Sequence, residues 1–526
     1  MPRRKKPIYR PRNILLALIA LTVLAISRQV YLALTAKPGK SVNYAALTAD
    51  LIQKYQPASA TPDSPNAHEL LDQAITIESQ VQADFRAQYA TVNGNYPVDY
   101  STLMGPYVDG RSYQGALPEI QAHSREAIEA LRKTELFSLL NQAAATPRAV
   151  RPTPQGRLID MMLPSLGKYR NFARLNGARM YMASVSGDDA ERVQAFEQTL
   201  AIARVSAHGS FLIEALVGIA IDALALNELV NEIVEKPPSE ATLLAFLAAI
   251  DRQPLPPMRS AMEGERLGTL DTIQWTHTDD GAGSGRLITT TVSQLGIAPG
   301  AGPLDRFSQW RIFNIGGAAF PSKAANIRKA NGLYELIFKA VDAPYYQRMG
   351  ATAEIENYIE TLPNRYIVLK AMFPAIGKSL QSRDQLQVQL NATRVIIALE
   401  IFKHRNGHYP QALDELAPSI LPQVPVDPFT GKNFGYQVLD PANDPDLRRY
   451  TVYSFGADQV DNRGNTKPKD AWAALRLPAG RGFDYILNPG RTKPEPPDPN
   501  EVPDPQPAPD APVPEPPADP VPPKQP

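Results

Sequence analysis

The chain predicts a mainly α-helical protein that carries a small α+β region near its C-terminus. Three observations support this. Apolar residues recur at three- and four-residue spacing through most of residues 44–405, the pattern of helices that each bury one stripe. Short alternating runs follow only later, at 434–439, 450–455 and 483–487, and read as strands. At the other end, Arg3, Arg4, Lys5, Lys6, Arg10 and Arg12 precede residues 14–26, thirteen positions of which only Thr22 is polar. This order implies five segments. Residues 1–12 are a basic cytoplasmic segment and 13–36 a transmembrane signal-anchor. Residues 37–362 form an all-helical extracytoplasmic domain of stacked helical pairs. Residues 363–490 lay a long helix on an antiparallel sheet, and 491–526 are a disordered, proline-rich, acidic tail.

At 526 residues the chain exceeds what one core serves. Lys+Arg (54) balances Asp+Glu (54), so a nucleic-acid partner has no electrostatic support. Zero cysteines exclude disulfides, a thiolate nucleophile, Cys-bound zinc and a lipidated cysteine anchor. As a helix, residues 14–26 cover only ~20 Å of a ~30 Å hydrocarbon core. Continuation through Val30, Tyr31, Leu32, Ala33 and Leu34 makes the segment long enough, with Arg28 near enough to the far interface to snorkel. A cleaved signal peptide and an ordinary core helix are the rival readings, but no clean small-x-small site follows the run. The positive-inside rule keeps the basic flank in the cytoplasm and sends everything beyond about residue 36 across.

Helices are predicted over 44–55 and 67–89, separated by a linker holding Pro57, Pro62 and Pro65. Residues 117–145 read as one more helix. Residues 169–185 and 190–207 form a helical hairpin, with Gly187 in the turn and Asp188 and Asp189 as caps. Residues 211–234 are apolar nearly all round yet contain Glu214, Asp222, Asn227 and Glu228. That mixture predicts a helix buried in protein, not a second membrane span. Pro237 and Pro238 stop it, Ser239 starts another helix to 250, and a further one covers 258–276. Residues 277–305 read as a long surface loop, and helical pattern resumes over 306–358 with breaks at Pro321 and Pro344. After Pro363 a long helix runs to about Arg405, kinked near Pro374, and Asn406-Gly407 closes it with a left-handed cap. Asp427-Pro428-Phe429-Thr430-Gly431 turns the chain into the strands. Sixteen of the last 33 residues are proline and seven are acidic, a composition that stays extended.

Asn406-Gly407-His408-Tyr409-Pro410, the Asp427-Pro428 turn and Tyr453-Ser454-Phe455-Gly456-Ala457-Asp458 together resemble the globular domain of type II secretion pseudopilins. The resemblance covers roughly residues 364–490 and implies a bacterial cell envelope, with the anchor in the inner (cytoplasmic) membrane. It also implies a calcium site, because the major pseudopilins carry calcium in the loop after Gly-Ala-Asp. Asp458 and Asp470 match acidic positions of that loop. Asp461 and Asn465 are further oxygen donors on chemical grounds, since a hard cation takes about six to eight oxygens. The plainer reading is a solvated loop in which these side chains cap backbone groups. The chain departs from the family in lacking a prepilin-peptidase motif and in placing over three hundred residues between anchor and fold. Both departures argue against filament assembly.

In the helical region Glu263, Glu265 and His277 are the candidates for acid–base hydrolysis, with Glu214 or Asp222 facing them. Structural ion pairs with arginines such as Arg174 or Arg204 are the plainer reading. The expected function is therefore a non-enzymatic, membrane-anchored scaffold that contacts the lipid bilayer and envelope proteins, and not nucleic acid, beside a secretion or uptake apparatus. The alternative is an extracytoplasmic hydrolase or small-molecule binder that uses the acidic residues.

Overall fold

The computed structural model describes residues 11–57, 59–89, 118–152, 155–161, 163, 165–279, 285–294, 317, 319–465, 483–488 and 490. Among them, fifteen α-helices and one three-stranded antiparallel sheet make up the main regular elements. The expectations for 295–316 and for the tail beyond 490 lie outside the described residues.

Helix α1 (Pro11–Leu34) is the one described helix long and apolar enough to cross a membrane. Residues 14–28 are exposed on every side, and cover begins at Gln29. Only Thr35, Ala36, Lys37 and Pro38 separate the end of α1 from Gly39. The Gly39 N–H donates to the carbonyls of Gln274 (3.1 Å) and His277 (3.0 Å). Val42 N–H and carbonyl then bracket the Gln274 amide at 3.0 and 2.9 Å. Helix α2 (Tyr44–Lys54) starts at once, with Asn43 as its cap.

Helix α3 (Ala67–Tyr89) keeps the predicted bounds. The single helix expected over 117–145 is instead two, α4 (Pro118–Arg132) and α5 (Leu136–Ala145). Thr134 makes the break: its hydroxyl donates to Leu131 O (2.6 Å) and accepts from Leu136 N (3.2 Å), local bonds that compete with the helix ladder. Helices α6 (Ser165–Ser186) and α7 (Asp189–Ala207) form the predicted hairpin, with Gly187 left-handed (φ 79°) and Asp188 accepting from Glu191 N at 3.0 Å. The buried Arg179 guanidinium ties the pair together through Glu191, Asn176 and Gln198, and Gln198 carries the network to Asn141 on α5.

Helix α8 (Leu212–Glu235) crosses both, and its Glu214, Asp222, Glu228 and Glu232 are all buried. This is the protein-buried helix the pattern predicts. Arg192 of α7 neutralises Glu232 at 2.9 Å. Helix α9 (Glu240–Asp251) is capped by Ser239 and packs on α7. Helix α10 (Met258–Thr276) packs on α2, α8 and the later α12 (Lys323–Ala340), with the short α11 (Thr289–Gln294) between them in sequence. Helices α13 (Tyr345–Glu360) and α14 (Ile367–Met372) lead to Phe373 and the break before α15 (Pro374–Asn406), where Pro374 takes the first helical position. Gly407 closes α15 in the left-handed region (φ 79°).

The sheet order is β1 (Gly435–Val438), β2 (Tyr450–Ser454), β3 (Tyr485–Ile486), all antiparallel, with Gly435 opposite Tyr453 and Tyr453 opposite Ile486. Glu400 of α15 accepts from Tyr409 OH (3.0 Å) and Tyr450 OH (3.1 Å), which fastens the helix to the sheet. The same α15 packs on α8 and α9, so one apolar core runs from Phe196 and Phe246 through Leu399 to Val452. A second core lies under α3, α5, α6 and α8.

Candidate functional site

Glu263 and Glu265 lie two residues apart on α10, and that spacing places them on different faces of the helix. Glu263 accepts from Tyr55 OH (2.8 Å) and Lys54 Nζ (3.2 Å), and so clips the end of α2. Glu265 faces inward and accepts from the backbone N–H of Leu212 at the amino end of α8, and burial raises its pKa. His277 follows the last residue of α10 and is fully buried. With the proton on Nδ1, it donates to Ile273 O (2.9 Å) and accepts at Nε2 from the Asn326 amide (3.2 Å). Burial depresses its pKa to about 4. These three side chains therefore serve three separate partners.

One part of the expected grouping does form. Glu214 shares the amino end of α8 with Glu265, where it accepts from Phe211 N at 3.1 Å. Asp222 is held further along the same helix by Gln253 Nε2 at 3.0 Å, with Arg204 nearby as its favourable charge. Burial still pushes the Asp222 pKa up to about 8. The ion-pair partner of Glu214 is Arg151, from the segment after α5, and not Arg174 or Arg204.

Arg151 is the centre of a group of titratable side chains that the sequence pattern does not single out. Its guanidinium lies over the Tyr169 ring and donates to Ser165 Oγ (3.2 Å). Tyr169 OH bonds His68 Nδ1 at 2.9 Å. Burial and the Arg151 charge drive the His68 pKa well down, while burial raises Tyr169 to about 12. Three buried donor groups, His68 Nε2, Arg151 Nη2 and Ser210 Oγ, lack a hydrogen-bond partner among the described residues. His68 opens α3 and Tyr169 sits in α6, so only the packed fold brings them to Arg151.

In the sheet region, Asp458 accepts from Val460 N (3.2 Å), and Asp461 accepts from Arg463 N (2.7 Å) and Tyr453 OH (3.1 Å). The Asn465 carbonyl receives Asp484 N at 2.9 Å, and Asp470 lies outside the described residues. The loop turns through left-handed Gln459, Arg463 and Gly464. Among the described residues, no group of three or more His, Cys, Asp or Glu is placed to hold a metal ion. The organising acid is Asp484, which is fully buried. Its Oδ2 gathers Asn462 N (3.0 Å) and Gly464 N (2.7 Å), while Oδ1 has no hydrogen-bond partner among the described residues. Burial, together with the charges of Asp461 and Asp458, lifts its pKa to about 6. An aspartate between Phe483 and Tyr485 in a strand pattern was the sequence cue. Asp427, also buried, accepts from Phe429 N (2.9 Å), Ser454 Oγ (2.9 Å) and Phe455 N (3.0 Å), and thereby pins the predicted turn to β2.

Set against family models, curated proteins and solved structures, the chain matches none. The functional reading rests on its own geometry.

Proposed function

We propose that the protein is a single-pass membrane-anchored scaffold of a bacterial cell envelope. In this reading the basic N-terminus stays in the cytoplasm, α1 crosses the inner membrane, and the remainder engages protein partners outside, beside a secretion or uptake apparatus. The observation that carries it is α1 itself. Ile14, Leu15, Leu16, Leu18, Ile19, Leu21, Val23, Leu24 and Ile26 are all exposed around one helix, a surface stable in hydrocarbon and not in water. The pseudopilin-like reading of residues 363–490 is supported by a long helix closed by left-handed Gly407 and fastened on a three-stranded sheet. The helical body offers partner grooves, among them one of ≈ 530 Å³ between α4 and the α6–α7 hairpin, lined by Arg125, Arg132, Tyr181 and Val185. Alkaline carbonate treatment of cell membranes tests the anchor: the chain should stay in the pellet, and release would overturn it. Cross-linking in intact cells tests the scaffold, with capture of defined envelope proteins expected and recovery of this chain alone counting against it.

One observation favours a second reading as a small-molecule binder. Buried donors without acceptors at His68 and Arg151, brought together through Tyr169, suit a small oxyanion such as phosphate or acetate. Thermal melting in phosphate or acetate against chloride should then show a rise in Tm that Arg151→Lys abolishes. An unchanged wild-type Tm removes this reading.

A further inference from the structure

Resting on the transmembrane reading above, we propose that the extracytoplasmic body sits directly on the bilayer. The surface around Gly39, with Arg28, Lys37, Lys40 and Arg286, then faces anionic phospholipid headgroups.

Four residues, Thr35 to Pro38, join the last residue of α1 to Gly39, and even fully extended they separate Leu34 from Gly39 by at most ~18 Å. Gly39, Ser41 and Val42 are in turn locked by hydrogen bonds to Gln274 and His277 at the end of α10. The body therefore cannot drift from the membrane on a tether. Arg286 brings it closer still, because its Nη1 donates to Gln29 Oε1 at 3.0 Å. Gln29 lies five residues before the end of the span, about 7 Å along the helix axis. A side chain that reaches Gln29 from the body stands at headgroup depth.

The chemistry of the surface agrees. Arg28, Lys37 and Lys40 are exposed, and the nearby Asp279 is paired with Lys323 at 3.4 Å. Tyr31, 66% exposed on the same turn as Gln29, has the amphipathic ring that collects at the membrane interface. Basic groups beside a span are drawn to anionic lipid within a Debye length.

The cysteine-free sequence permits a clean test on the full chain in vesicles. A fluorescent probe is placed at Val42→Cys and, separately, at Val23→Cys within α1, and quenching is read in mixed phosphatidylcholine–phosphatidylglycerol vesicles with the bromine carried by one lipid or the other. Both probes should be quenched. The Val42 probe should be quenched roughly two- to five-fold more by brominated phosphatidylglycerol than by brominated phosphatidylcholine, a preference lost in the Lys37→Glu/Lys40→Glu/Arg286→Glu variant, while the Val23 probe shows no such preference. A quenched Val23 probe with a silent Val42 probe would overturn the seated body yet keep the span. Silence at both sites would remove the span as well. Equal Val42 quenching in both lipids would overturn the assignment to anionic headgroups.

Discussion

Burial keeps the Asp222 carboxyl protonated up to about pH 8, far above its ordinary 3.8. Because the folded pKa lies above the unfolded one, the group stabilises the fold least at high pH. From about pH 4 to about pH 8 the folded state holds one proton more than the unfolded, so stability falls as pH rises, by up to ~1.4 kcal/mol per unit. Asp222→Asn should flatten that decline and exceed wild type at about pH 8 by about 1–3 kcal/mol, read from urea midpoints across a pH series. Burial lifts Asp427 in the same direction, to about 6, but three donors converge on its carboxyl. Asp427→Ala should cost about 2–4 kcal/mol by the same measurement. The Asp427-Pro428 turn was legible in sequence, whereas the reach to Ser454, 27 positions on, depends on pairing that no local pattern encodes. His68, Tyr169 and Arg151 were illegible for the same reason.

At the scale of elements, the informative residue in Glu263-Gly264-Glu265 is the glycine. A Cβ at 264 would overlap the Ser210 carbonyl oxygen, so only glycine lets α10 pass close enough for Glu265 to cap α8. Gly264→Ala should therefore destabilise by about 3 kcal/mol or more. Gly167→Ala, near the start of α6 with nothing described within 4 Å of the new methyl, should stabilise by about 0.5–1 kcal/mol. Opposite shifts in thermal melting check the pair. Helix periodicity, caps and the Gly187 and Gly407 turns were readable because they depend on local chemistry. The division of 118–145 into α4 and α5 was missed because one threonine outweighed a continuous apolar pattern. A catalytic reading of Glu263 and Glu265 overlooked that residues two apart on a helix diverge.

For the whole molecule, α15 is the joint. Val395, Ile396, Ile397, Ala398 and Leu399 are all fully buried in succession, which happens only when a helix is covered on every side. One side meets the sheet and another meets α8 and α9, and Arg394 reaches Asp251 (2.8 Å) and Ile250 O (3.1 Å). An isolated 363–490 fragment would expose that second face. It should aggregate or lose its cooperative melt on circular dichroism, whereas the chain lacking residues 1–36 should melt as a folded body. The sequence pattern marked where the helical and α+β regions differ in period, but the interface between them was not visible because both sides of α15 are equally apolar.

The brevity of Thr35–Pro38 has a mechanical side. On the proposed membrane-spanning reading, so little slack means that a tug on the sheet or on the helical hairpin loads α1 after a displacement of a few ångströms. Torque applied to the body by a docked neighbour would likewise turn α1 within the bilayer and would not be lost in a swivel.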